Sequence, residues 1–148
     1  MKIRYHQLAR HDEVFLKELF HLYIEVFETP HRPPGDAHFC RLLQEENILF
    51  FVASSNKKVI GGLTAYVLPS LYTEAGEVYL YDLAVRNDYQ RLGVGRQLLS
   101  KLESWCRQHG IREFFVQADE TDNHAIAFYR ATGGIPEAVR HFSYATGN

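Results

Sequence analysis

Two features of the stretch YLYDLAVRNDYQRLGVGRQLL, residues 79–99, could do chemistry. The first is Asp82, a carboxylate inside an apolar run. Burying it unpaired would be costly, so it either faces a cavity as a proton acceptor or accepts backbone N–H bonds at a bulge. The second is the pair Gly93 and Gly95 at the head of a helical pattern. A helix that begins on a glycine-rich turn presents unpaired N–H groups and the positive end of its dipole, an anion site made of backbone. Arg91 and Arg96 add charge beside it. A P-loop is excluded because no Lys-Ser/Thr pair follows. A dinucleotide fingerprint is half met, since Leu98 stands where its third glycine would fall. A tight strand-to-helix turn, with glycines for packing alone, stays open.

The elements that must position these groups can be read from periodicity. Ile3–Gln7 predicts a short strand. From Asp12 to Phe27, the polar residues Glu13, Lys17, His21 and Glu25 recur every fourth position. That is one polar stripe on an otherwise apolar helix, most of whose circumference should be covered. The prolines of ETPHRPPGDAH stop it, and a short helix follows from Ala37 to Glu46. Ile48–Ser54 reads as a central strand, NKK as a tight turn, and Val59–Leu68 as its antiparallel return. Gly61–Gly62 there marks a bulge or a close backbone approach. Glu77–Val85 is the next strand. A helix from near Gly93 to Gly110 carries Val94, Leu98, Leu102 and either Trp105 or Cys106 on one face. REFFVQAD predicts a strand, NHAIAFYRATG a helix and EAVRHFSYA a last strand. The result is a mixed α/β sheet with helices on both faces, in one domain spanning residues 1–148 without repeats or linkers.

Composition narrows the partners. At 148 residues, 46% hydrophobic and 23% charged, the chain fits one ordinary globular domain. A net charge of −2 argues against a nucleic-acid surface, which needs basic excess. The polar N-terminus and the lack of a long apolar run predict neither a secretion signal nor a membrane span. Cys40 and Cys106 are isolated and read as reduced thiols of a cytoplasmic protein. The eight histidines form no HxH or HExxH pair, so no metal is expected.

QRLGVG, residues 90–95, resembles the Q/R-x-x-G-x-G/A signature of the GNAT superfamily of acyl-CoA-dependent N-acetyltransferases. DLAV before it and AIAFYRATGG after the following strand stand where that family expects them, so the resemblance spans residues 48–142. It implies a mixed, mostly antiparallel sheet of six to seven strands with a central splay. It implies acetyl-CoA as co-substrate, its pyrophosphate held by the turn Gln90, Arg91, Leu92, Gly93, Val94, Gly95 and Arg96. Its pantetheine arm would pair with the exposed backbone of Leu83, Ala84 and Val85, as an added strand would.

Acetyl transfer to an amine requires a neutral amine, a stabilised carbonyl oxygen and a protonated leaving thiolate. Tyr129 in AFYRATGG matches the tyrosine that the family places near the coenzyme sulfur as proton donor. Its plainer reading is a core aromatic beside Phe128. The oxyanion donor would be a main-chain N–H of the splayed strand, at or near Leu83. Asp82 is the candidate base, and Glu77 a lesser one. Tyr79 and Tyr81 occupy family positions that often face the acceptor or carry the base. Strict alternation sets Asp82 on the opposite side from both, so a local bulge is required if all three are to line one cavity. Asp119, Glu120 and Asp122 in QADETDNH would add a negative rim for a cationic acceptor, although each also suits a solvated loop or a helix N-cap.

Within the family, EVYLYDLAV, VQAD with its acidic turn and A-x-A-x-Y, and EAVRHF resemble the aminoglycoside 3-N-acetyltransferases of GNAT type. That implies acetylation of a deoxystreptamine amine and so antibiotic resistance. Carboxylates alone would equally suit a polyamine, another small amine or a protein amine. A non-catalytic acyl-CoA-binding domain is the alternative outside enzymes. The chain departs from the family pattern at Asp122, where an asparagine is commoner, and at the extra glycine of RATGGI. The resemblance also admits a homodimer.

Overall fold

In the computed structural model, which describes residues 2–147, the elements run β1 (Arg4–Gln7), α1 (Glu13–Phe27), α2 (Asp36–Gln44), β2 (Ile48–Ser55) and β3 (Lys58–Leu68). They continue with β4 (Glu77–Val85), α3 (Val94–Gln108), β5 (Phe114–Val116) and α4 (Asn123–Ala131). The chain falls into two compact units, one through Gln117 and one from Ala118 onward. The first holds a single sheet in the order β1-β2-β3-β4-β5, antiparallel throughout except for the parallel pair β4–β5. It is the mixed, mostly antiparallel sheet that the sequence predicts.

The hairpin β2–β3 closes on Asn56 and Lys57, both left-handed (φ 51° and 65°), the geometry whose twist matches the flanking strands. The glycine pair in β3 does both things predicted for it. The β2–β3 register shifts between Ala53 and Ser54, which leaves Ile60 as an extra residue beside Gly61. At Gly62 a Cβ would lie 2.5 Å from Leu19 Cδ1 of α1 and 2.9 Å from Phe51 O, so only a bare backbone fits. A Cβ on Gly61 would instead meet Val94 of α3 at 3.2 Å. Neighbouring strand residues point to opposite faces, so α1 and α3 cover opposite faces of the sheet.

On the α1 face, Leu16, Leu19 and Leu22 pack with Phe39 of α2 and with Phe50, Val52, Val59 and Ala84. On the other, Val94, Leu98, Leu102 and Cys106 of α3 are buried. Full burial of such side chains stabilises by roughly 1.5–3 kcal/mol each before chain entropy is counted. α1 is less covered than its single polar stripe predicts: Val14 stays 70% exposed and Phe27 42%. One sheet face plus α2 cannot enclose a whole helix.

The count of six to seven strands and the strand at EAVRHFSYA are not met. Among the described residues the sheet has five strands, and residues 133–147 carry no helix or strand. High β-propensity needs a neighbouring edge to satisfy its backbone, and none is paired there. Among the described residues, no helix is long and apolar enough to cross a membrane.

Candidate functional site

The glycine junction forms as a built turn. β4 ends at Val85, a single 3-10 turn spans Asn87–Tyr89, and α3 starts at Val94 with Gly93 as its N-cap. Gly93 takes φ 80° and Arg91 φ 65°, the left-handed region that a side-chain-free residue enters at no steric cost. Gln90 braces the turn, its Nε2 donating to Val85 O and to Asn87 Oδ1 at 3.1 Å each. Val94 is 1% exposed and anchors the helix start in the core. No side chain caps this N-terminus, and a Cβ on Gly93 would meet nothing within 4 Å. Arg91, Leu92 and Arg96 around this helix start are exposed. Gly95 lies in the first turn. The arrangement fits a diphosphate.

β4 supplies the second feature. It pairs with β5 only over Val78–Leu80, opposite Phe114–Val116. From Tyr81 to Val85 it keeps β3 on one side, while the β4–β5 ladder does not continue on the other. That edge, which includes Leu83, Ala84 and Val85, is the predicted splay. Its backbone groups can receive an extended, amide-bearing chain.

The bulge that the sequence reading required is present. Thr64 stands opposite Asp82 and Ala65 opposite Leu80, so Tyr81 is an extra residue in β4. Gly62, Thr64 and Tyr66 share the α1 face, and their cross-strand partners Ala84, Asp82 and Tyr79 share it with them. The Tyr81 ring lies 5.4 Å from that of Tyr66 and 5.5 Å from that of Tyr79, edge to face in both cases. One extra residue thus brings Tyr79, Tyr81 and Asp82 together on one side of the sheet. Tyr79 also stacks on Phe115 at 4.7 Å and donates from Oη to Gln117 Oε1 at 3.0 Å.

Asp82 is half-buried beside a cavity of about 160 Å³ that it lines with Leu16, Phe20, Tyr23, Thr64 and Tyr66 among others. Burial raises its carboxyl to about 6, and a hydrogen bond from the Thr64 hydroxyl opposes that rise. The Tyr23 and Thr64 hydroxyls are 2.9 Å apart. Burial pushes the Tyr23 phenol well above its ordinary value, with the Asp82 charge adding to it; Tyr66 and Tyr79 are raised chiefly by burial, with Asp82 and Tyr81 adding to both. A carboxylate that titrates near neutrality can take a proton from an ammonium without being permanently protonated itself. Glu77 is exposed at the far end of β4. Thr64, Tyr23 and Tyr66 were not singled out from sequence. A hydroxyl in VIGGLTAYVL was the available signal, legible only once the β3–β4 register is known.

The C-terminal unit holds the remaining candidates. Asp122 is the N-cap of α4, its Oδ1 accepting from Ala125 N at 3.1 Å, and its backbone N–H donates to Asp119 O. Asp119 and Glu120 are exposed. Tyr129 is half-buried within α4, its ring edge-on to Phe128 at 5.4 Å. The residues that depart from the family pattern close this helix: Gly134 N donates to Tyr129 O at 2.8 Å, and Gly133 N to Arg130 O.

Compared with known proteins, residues 16–133 match the model of the acetyltransferase (GNAT) family. An aminoglycoside acetyltransferase, meta-AAC0020, from an uncultured soil metagenomic sample has been solved with trehalose and with sisomicin. This chain is 37% identical to it, at a TM-score of 0.95, over 98% of this chain and 97% of that one. The aminoglycoside acetyltransferase AAC(6')-Iy, solved with a bisubstrate analogue of coenzyme A, shares the fold at 21% identity and a TM-score of 0.79, over the full length of both chains. The ribosomal protein bS18 alanine N-acetyltransferase of Escherichia coli K12 is 29% identical over 103 residues, 70% of this chain and 66% of its own length.

Proposed function

Given that the chain belongs to the GNAT acetyltransferase family, we propose that it transfers acetyl from acetyl-CoA to an amine of an aminoglycoside, at the 3-N position, and thereby confers resistance. The observation that carries the chemistry is the β4 bulge, which sets a carboxylate raised to about 6 on the strand whose pairing with β5 stops at Leu80. The 37% identity to an aminoglycoside acetyltransferase solved with sisomicin supports the acceptor class.

In this reading, the N–H groups of Arg91, Leu92, Gly93, Val94, Gly95 and Arg96 hold the diphosphate, with Gln90 bracing the turn. Leu83, Ala84 and Val85 hold the pantetheine amides. The coenzyme supplies the activated acetyl group as a thioester. Asp82 takes the proton that makes the amine nucleophilic, a backbone N–H near Leu83 faces the developing oxyanion, and the Tyr129 phenol returns a proton to the thiolate. Tyr79 and Tyr81 flank the acceptor, with Asp119, Glu120 and Asp122 as an acidic rim. The same reading makes the whole chain one cytoplasmic catalytic domain without nucleic-acid or membrane partners. A homodimer is supported by the exposed Ile135, Val139, Phe142 and Tyr144.

A second acceptor class, an N-terminal protein amine, is supported by the likeness to the bS18 alanine acetyltransferase. Thiol release from acetyl-CoA on adding sisomicin, spermidine or an alanine-ended peptide separates them. Release with sisomicin, and a product acetylated at the 3-amine by NMR, is the expected result. Turnover with the peptide or the polyamine alone would move the assignment to that acceptor. Coenzyme binding without turnover of any amine would leave a non-catalytic acyl-CoA-binding domain.

A further inference from the structure

Building on the reading of Asp82 as proton acceptor, we propose that Thr64 and Tyr23 are positioning residues. They form a two-hydroxyl relay, Tyr23 to Thr64 to Asp82, that fixes the carboxylate's direction at the bulge and keeps it ionised in an apolar setting. Thr64 is 4% exposed and stands directly across from Asp82, and its Oγ1 lies 2.9 Å from Tyr23 Oη. A hydroxyl carries one proton. In the relay Thr64, which stands opposite Asp82 on the same face, gives its own to the carboxylate and accepts from Tyr23, so the direction runs from α1 to Asp82.

These two hydroxyls lie in a largely apolar setting. The cavity beside them is walled by Leu16, Leu19 and Phe20 of α1, Phe39 and Leu42 of α2, and Ile48 and Phe50 of β2. An unsatisfied hydroxyl there would be costly, and the Tyr23–Thr64 hydrogen bond meets that need. The ionisable groups that feel the Asp82 charge are the phenols of Tyr23, Tyr66 and Tyr79, with Tyr81 beside it in the strand; α2 and β2 face the cavity with apolar side chains. Among the described residues no cation contributes to holding Asp82 ionised, and the Thr64 hydroxyl is what opposes the effect of burial. A bulged strand also has one residue more than its partner, and a cross-strand bond at the bulge opposes slippage.

The test uses the full chain with aspartate labelled at the carboxyl carbon. NMR titrates Asp82, whose signal is assigned by its loss in Asp82→Asn, and the acid limb of kcat/KM is measured in parallel. Thr64→Val keeps the shape and removes the donor; it is expected to raise the Asp82 midpoint by about one pH unit. Thr64→Ser is expected to restore the wild-type midpoint. Tyr23→Phe loses a single oxygen and is expected to move the midpoint in the same direction by less. The double variant should match Thr64→Val alone, since the relay acts as a unit. An unmoved midpoint in both Thr64→Val and Tyr23→Phe, or Thr64→Ser behaving as Thr64→Val, overturns the relay. A midpoint that moves while the acid limb stays fixed supports the relay and overturns instead the reading of Asp82 as the proton acceptor.

Discussion

Asp82 carries the account at the scale of single residues, because its environment works against its stability and for its chemistry. Its carboxyl is raised from 3.8 to about 6, chiefly by burial. The folded state therefore binds this proton more tightly than the unfolded chain, so stability falls as pH rises from about 4 through about 6. Asp82→Asn removes that penalty. It is expected to melt above the wild type at about pH 8, the difference vanishing at or below about pH 4. The same variant is expected to lose about a hundredfold or more in kcat while its acetyl-CoA affinity is unchanged. Thermal melts at both pH values with steady-state kinetics check this, and an equal loss in binding and turnover would mark the residue as structural. Sequence exposed Asp82 as an anomaly and showed that Tyr79, Tyr81 and Asp82 share a face only through a bulge. It did not reveal Thr64, whose β-branched side chain looks like any strand former until the register sets it opposite a carboxylate.

Among the elements, the strands and helices were legible wherever local chemistry decides them. Asn56 and Lys57 make the hairpin turn, Gly93 starts α3, and the apolar spacing of Val94, Leu98 and Leu102 selects its buried face. The strand at 137–145 was misread because alternation and propensity describe the strand itself, whereas pairing depends on an edge elsewhere in the molecule. Gly62 shows the reverse case, a residue whose identity is set wholly by tertiary approach. Gly62→Ala would drive a Cβ against Leu19 and the Phe51 carbonyl, at 2.5 and 2.9 Å. The carbonyl belongs to the adjoining strand and cannot swing aside. The variant is expected to lose about 1–3 kcal/mol, read as a lower urea midpoint at unchanged m value. Wild-type stability in that variant would show that α1 sits farther from the sheet than described.

For the whole molecule, the family was readable from local motifs, and the acceptor class only through resemblance. A backbone diphosphate site leaves a short glycine pattern in the chain, because its geometry excludes side chains; residues 90–95 carry it. An acceptor site is assembled from distant side chains. Tyr66 and Tyr81 meet only across a strand pair, and the loop 29–35 carries no motif. Everything assigned to Asp82 and Tyr129 presupposes a coenzyme gripped at the turn before α3, so calorimetry with acetyl-CoA is the most direct test. The account expects saturable heat at one site per chain for the wild type, and none for Gly95→Glu, which sets bulk and negative charge where the diphosphate would lie. An absence of heat in the wild type, or undiminished affinity in the variant, would contradict it.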